Sequence, residues 1–276
     1  MKKFNAARIG KYFSATLISL LALVPFYVVV LFSLNTPARI FYEGNILLPD
    51  FHFHNYLDAW KSSKIGIAMV NSIIIAGGAL AVVVFFASSA GYTIARFKSR
   101  FNSIVFSVFL MSMMIPGIIN TVPLYILIKS IGGINHLWAM ILVCATLALP
   151  FSVFLYTGFV KSLSREIEES AIIDGCSWFS AFWRVTFHFL KPVTAAVIII
   201  NGLSVWNNYA QAVFFLPNQK AHTIPLALSV FFQQFAGAKW NLLAAAAVTG
   251  VFPVVLAFLV FQKSFMKGIT AGALKG

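Results

Sequence analysis

Residues 65–95 read IGIAMVNSIIIAGGALAVVVFFASSAGYTIA, with no Asp, Glu, Lys or Arg at any position. About 20 predominantly apolar residues cross the hydrocarbon core of a bilayer as a helix. Inside that core every backbone N–H and C=O needs an internal partner, which leaves a helix or a closed β-barrel. A barrel strand alternates lipid-facing and lumen-facing residues over roughly ten positions. The runs Ile73, Ile74, Ile75 and Val82, Val83, Val84, Phe85, Phe86 do not alternate. The stretch is therefore read as a transmembrane α-helix.

Five further charge-free stretches flank it: residues 12–38, 101–128, 131–160, 192–219 and 240–262. Over the whole chain 60% of residues are apolar and 10% are charged, against about 25% charged in soluble domains. The expectation is an all-α membrane protein of one domain, residues 1–276, with six spans at about 12–36, 66–92, 103–128, 135–160, 192–216 and 241–263. The first span follows Lys2, Lys3, Arg8 and Lys11, but its apolar run exceeds a signal-peptide h-region and no Ala-x-Ala site follows, so it is read as retained. Pro116, Pro123, Pro150 and Pro253 lie in or beside helices, where proline removes a donor and bends the axis.

Six spans put both termini on one side of the membrane. With the N-terminus inside, 14 of the 20 basic residues fall in cytoplasmic segments, and only Arg39, Lys61, Lys64, Lys129, Lys220 and Lys239 remain outside. That bias gives an N-in, C-in topology. The net charge of +13 punctuates apolar runs instead of forming a basic face, which excludes a nucleic-acid partner. Cys144 and Cys176 form no disulfide framework, and the five scattered histidines have no metal-ligand spacing. No P-loop and no recognisable catalytic constellation occur, so no catalytic residue and no cofactor is assigned to this chain. No acidic residue lies in a span, which argues against proton or sodium coupling; the energy source must then be a partner.

The most informative polar segment is residues 161–191, between the fourth and fifth spans. Ser164 is placed to cap a helix whose first turn carries Glu166, Glu168 and Glu169, favourable beside the positive end of the helix dipole. Asp174-Gly175 ends it. Ser177 can cap a second short helix bearing Trp178, Phe179, Phe182 and Trp183. Two angled helices with exposed aromatics make a docking knob; a loop resting on the membrane surface is the alternative. In span five, Asn207, Asn208, Tyr209 and Gln211 can hydrogen-bond hydroxyls and Trp206 can stack on a sugar ring, or these groups bridge helices.

The run Glu169-Ser170-Ala171-x-x-Asp174-Gly175 resembles the EAA loop of binding-protein-dependent ABC importers, with four departures: Ser170 in place of an Ala, Cys176 in place of a frequent Ala, Ser164 where a Pro often precedes the helix and His188 where a Pro often follows. The tail, residues 261–276, together with Met114-Ile115-Pro116, Pro123-Leu124-Tyr125 and Trp206-Asn207, looks like the carbohydrate-uptake permeases related to the smaller maltose-importer permease. The resemblance implies a type I importer permease fold in the bacterial cytoplasmic membrane and import of a sugar or oligosaccharide by alternating access. It implies as partners a second homologous permease, two ATPase subunits that hold ATP and Mg, and an external solute-binding protein. It makes Glu168, Glu169, Ala171, Asp174, Gly175 and Cys176 the ATPase-coupling loop, with Glu169 facing the ATPase and Gly175 taking a positive φ or letting backbones approach. It makes Trp206, Asn207, Asn208, Tyr209 and Gln211 candidates for the translocation path. The external segment 220–240 would meet the binding protein through Gly237, Lys239 and Trp240. An ABC permease for amino acids or phosphate is the rival disfavoured by the tail; a channel or secondary transporter lacks its charged site or filter loop.

Overall fold

A computed structural model describes residues 6–41, 48–232 and 239–273. Its helices run in the order α1 (Ala6–Leu34), α2 (Pro37–Phe41), α3 (His54–Ser62), α4 (Ile65–Arg96), α5 (Arg100–Ser112), α6 (Thr121–Ser130), α7 (Leu137–Ser162), α8 (Glu166–Ile173), α9 (Trp178–Ala181), α10 (Phe187–Phe189), α11 (Lys191–Trp206), α12 (Tyr209–Phe215), α13 (Ile224–Ser229) and α14 (Trp240–Ala273). A π-helical turn occupies Phe182–Thr186 and a 3-10 turn Gln219–Ala221. No strand occurs among the described residues.

Four helices are long and apolar enough to cross a membrane without a break: residues 10–34 of α1, α4, α7 and residues 240–260 of α14. The third charge-free stretch is not one helix. It forms α5 and α6, separated by turns over residues 113–120. Pro116 sits in that break: it has no N–H for a carbonyl four residues earlier, and it drives Ile115 out of the helical region. The fifth stretch breaks at Asn207 and Asn208. The Asn208 side chain accepts the Gln211 N–H at 3.1 Å and starts α12, so a capping residue restarts the helix within an apolar run. The segment preceding α11, residues 178–189, meets it at a bend of 75°. Pro25, Pro150 and Pro253 lie inside α1, α7 and α14, which continue through them.

The chain divides into two compact units, residues 1–66 with 227–252 and residues 67–226 with 253–276. In the first, buried Asn55 donates to the carbonyls of Ser33 and Asn35 at 2.9 and 3.0 Å and accepts from the Asn241 amide at 2.8 Å. One side chain thus satisfies carbonyls at the end of α1, which have no partner within the helix. Arg39 pairs with Asp50 at 3.0 Å. Residues 10–30 of α1 expose their side chains throughout, so the apolar surface of this helix needs a cover that the described residues do not supply.

In the second unit the core is built from α4, α7, α11 and α12, including Ile75, Val83, Met140, Tyr156, Val197 and Phe215. At Gly91 two helices approach closely: a Cβ there would meet Tyr156 Cβ at 2.6 Å and the Thr157 nitrogen at 3.0 Å. Small residues admit such backbone contact between membrane helices, where packing rather than hydrophobic exclusion drives association. Polar ties join α7 to α11: Asn201 donates to Ser152 at 3.0 Å, and Tyr156 donates to Thr194 at 2.9 Å.

Candidate functional site

The segment after α7 folds back on itself by rules visible in its residues. Ser164 Oγ accepts the Glu166 N–H at 3.3 Å, and α8 begins there with three glutamates in its first turn. The helix ends at Gly175, whose φ is +88°. Gly175 N–H donates to Ile172 O and Cys176 N–H to Ala171 O, both at 3.0 Å. This paired closure with a left-handed glycine satisfies the last carbonyls of α8. A Cβ at Gly175 would touch nothing within 4 Å, so glycine is required by backbone conformation and not by close approach within this chain. Ser177 Oγ then accepts the Ser180 N–H at 3.3 Å and caps α9.

The two glutamates of the motif separate completely. Glu168 is 2% exposed and Ala171, three residues on, is buried with it. Glu169 faces outward, and Ile173, four residues on along the same face, is 85% exposed. Asp174 is exposed at the end of the helix, and Cys176 is half-buried with a free thiol. Beside that outward face stand Trp178, 50% exposed, and Phe179, 73% exposed. An aliphatic side chain and an aromatic one standing in water beside an acidic group are suited to a protein partner. The aromatic set of the second helix divides in the same way. Phe182 is buried and Trp183 half-buried, stacked on Phe85 with ring centroids 5.2 Å apart, so these two hold the knob and do not present it.

Trp206, Asn207, Asn208, Tyr209 and Gln211 do not line one surface. Trp206 borders an apolar groove of about 460 Å³ between α4, α11 and α14, with Leu80, Leu203, Pro253 and Phe258. The Asn207 amide returns to Leu203 O of its own helix at 2.9 Å. Asn208 caps α12 and approaches Cys144 Sγ at 3.6 Å. Buried Gln211 reaches Thr121 Oγ1 at 3.3 Å and Gly117 O at 3.5 Å, which ties α12 to the broken third stretch. Tyr209 is exposed. A larger cavity, about 700 Å³, opens between α5, α6 and α7. Its wall is mostly apolar, with Ser112, Asn120 and Thr146 as polar points. The break at Pro116 and Gly117 creates this space; the sequence signal was the Met-Ile-Pro-Gly run itself.

Of the residues expected to meet a binding protein, Gly237 lies outside the described residues. Lys239 is exposed. Trp240 opens α14 and meets Phe232 edge-to-face at 5.6 Å. No group of three metal-ligating side chains occurs among the described residues.

Residues 84–270 match the family described as binding-protein-dependent transport system inner membrane component. The chain is 35% identical over 264 residues to the melibiose/raffinose/stachyose import permease protein MelC of Bacillus subtilis (strain 168), covering 95% of each chain. It is 28% identical over 277 residues, the full length of both chains, to the probable starch degradation products transport system permease protein AmyC of Thermoanaerobacterium thermosulfurigenes. Among solved structures, a chain of a bacterial ABC transporter involved in the import of the acidic polysaccharide alginate superposes with a TM-score of 0.80 at 20% identity, covering 95% of this chain and 98% of that one.

Proposed function

This chain belongs to the binding-protein-dependent transport system inner membrane components, and from that premise we propose that it is the permease subunit of an ATP-driven importer for a sugar or oligosaccharide. It is a multi-pass membrane protein, with four unbroken apolar helices long enough to cross a bilayer. The full topology is six spans, N-in and C-in, with the third and fifth spans broken, in one permease domain. Sugar cargo rests on the relatives: the melibiose/raffinose/stachyose permease matches along 95% of this chain.

The observation that carries the mechanism is the outward face of α8. Glu169 and Ile173, flanked by Phe179, form a knob that the described residues leave uncovered. We assign that face to a cleft on an ATPase subunit, with Asp174 and Gly175 holding the turn and Cys176 beside it. ATP and Mg reside on two such subunits, and this chain performs no catalysis. ATP closure moves the knobs, and the permease pair switches between inward-open and outward-open states because nucleotide binds the two states with different affinity. A second homologous permease supplies the other half of the path, and exposed apolar surface such as that of α1 faces it or lipid. An external solute-binding protein delivers the sugar, with Lys239 and Trp240 at its contact. Within this half, the cavity carrying Ser112, Asn120 and Thr146, together with exposed Tyr209, offers hydrogen-bonding groups to a neutral polyol. Trp206 lies on another groove, where a lipid tail or neighbouring helix fits the apolar lining.

The test is reconstitution in liposomes of the co-expressed permease pair, ATPase and binding protein. ATP-dependent uptake of melibiose, raffinose or a malto-oligosaccharide is expected, and none should occur when the ATPase is omitted. Uptake that proceeds without ATPase, or a complete set that moves none of these sugars, rejects the reading. Whole-cell cysteine labelling at position 50 or 220 should succeed from outside; labelling only after lysis rejects the topology.

A further inference from the structure

Beneath the exposed face of α8 lies a buried ion pair for which the function proposed above has no role. Glu168 Oε1 accepts from Arg96 Nε and Nη2, both at 2.8 Å. Its Oε2 accepts from Arg96 Nε at 2.9 Å and from the Tyr92 hydroxyl at 3.3 Å. Arg96 Nη2 also donates to Leu163 O at 3.1 Å, and Arg165 Nη2 returns to Arg96 O at 3.4 Å. Both charged side chains are almost fully covered.

Such a pair is a poor device for stability. Desolvation offsets most of the attraction, and apolar replacements of similar volume are often neutral or better. What it supplies is fixed geometry, since the planar guanidinium grips a carboxylate in few orientations. Here it fixes one helix to another. Arg96 is the last residue of α4, and Glu168 lies in the first turn of α8. Three aromatic contacts tie α4 and the residue after it to α9 and the π-helical turn, which follow α8. Tyr92 meets Phe182 at 4.6 Å, Phe97 meets Trp178 at 5.4 Å, and Phe85 stacks on Trp183 at an interplanar angle of 17°. Further along α4, Gly91 lies against the α7 backbone with no room for a methyl group.

We propose that Arg96 and Glu168 are positioning residues that rivet α8 to the C-terminal end of α4, so that α4, and α7 packed on it, move with the knob as one body when the ATPase closes. The inference rests on the coupling role assigned to α8 above. Glu169 touches the partner; Glu168 passes the displacement inward. Without the rivet the knob would slide across α4, and ATP closure would no longer reach the spans.

Spin labels on native Cys176 and on Lys98→Cys, in the complete complex, test this directly. Their separation is expected to stay constant between nucleotide-free and ATP-bound states, and a separation that changes with nucleotide overturns the proposal without any change to the pair. Glu168→Gln should keep ATP hydrolysis while sugar imported per ATP falls roughly tenfold, within the range usual for coupling between distant sites. Arg96→Lys, which keeps the charge but not the fork, should fall in between. If the single change lowers the amount of protein, Arg96→Met with Glu168→Leu removes both charges together and should restore the amount but not the ratio. A wild-type ratio in both the single and the double variant overturns the proposal. Absence of ATP-dependent uptake by the wild-type complex would instead remove the functional reading, which separates the two failures.

Discussion

Residues 164–187 and residues 206–223 both crowd polar and aromatic side chains into a short run beside apolar helices, yet the fold uses them in opposite ways. In the first run the side chains sort by depth: Glu168, Phe182 and Ala171 turn inward, while Glu169, Ile173 and Phe179 stand in solvent. In the second, four polar side chains are taken up by the scaffold. Asn207 returns to Leu203 O, Asn208 caps α12, Gln211 bridges to Thr121, and Asn218 accepts the Lys220 N–H at 2.9 Å. A polar residue in a membrane protein is thus a contact for a partner only when the scaffold has not already claimed it. Outside the spans, where no lipid covers it, an exposed apolar residue such as Ile173 is the stronger sign of a partner.

The largest expected effect breaks the first run at its turn. Gly175→Val forces a β-branched residue into a left-handed conformation, at a cost of order 1–3 kcal/mol. Since nothing lies near that Cβ, the damage is confined to the direction of the chain leaving α8. ATP-driven uptake should be lost while the protein still inserts and co-purifies with its partner permease. Normal uptake by a well-inserted Gly175→Val protein would leave the knob no role in coupling. Next in size is Glu169→Lys, which reverses one exposed charge. It should weaken ATPase co-purification at least tenfold, since like-charge juxtaposition at an interface can cost several kcal/mol. Unchanged co-purification would move the contact off this face.

A smaller effect is expected in the second run. Gln211→Leu removes a buried amide from Thr121 and the Gly117 carbonyl, and orphaning such partners costs about 1–3 kcal/mol. The complex should melt at lower temperature in detergent while the sugar concentration for half-maximal uptake is unchanged. A raised half-maximal concentration with unaltered melting would make Gln211 a substrate contact and erase the contrast between the two runs.

The sequence carried the helical class, the two short helices after α7 and the left-handed glycine between them because each follows from local rules: charge-free length, capping serines, a turn dipeptide. The roles of Glu168 and Glu169 were not legible as a pair. Their split depends on Arg96, 72 positions away, which counted in the sequence only as a basic residue beyond a span. Helix arithmetic from Glu169 alone does reach Ile173, one turn along. The breaks in the third and fifth stretches were half legible. Pro116 announced the first, but Asn208 offers the same amide whether it caps a helix or binds a hydroxyl, and only tertiary packing decides.

The smallest expected effect tests the second run at its far end, outside the spans. His222 follows the 3-10 turn, and its carbonyl accepts from the Asn71 amide at 2.9 Å. Its Nδ1 is buried without a partner. Burial holds the imidazole pKa below its ordinary 6.5, and a hydrogen bond with the Pro217 backbone opposes that only in part. The folded chain therefore keeps this ring neutral at a pH where the unfolded chain has begun to bind a proton. Stability attributable to His222 is complete above about pH 6.5 and declines as pH falls below it, until the folded ring is protonated too. His222→Gln removes the titration and keeps a polar group of similar reach. Melting of the purified complex from pH 8 to pH 5 should fall more steeply for the wild type than for this variant, by a small margin. Identical slopes would mean that His222 meets water as freely in the fold as in the unfolded chain, and would return this end of the run to the solvent side of the comparison.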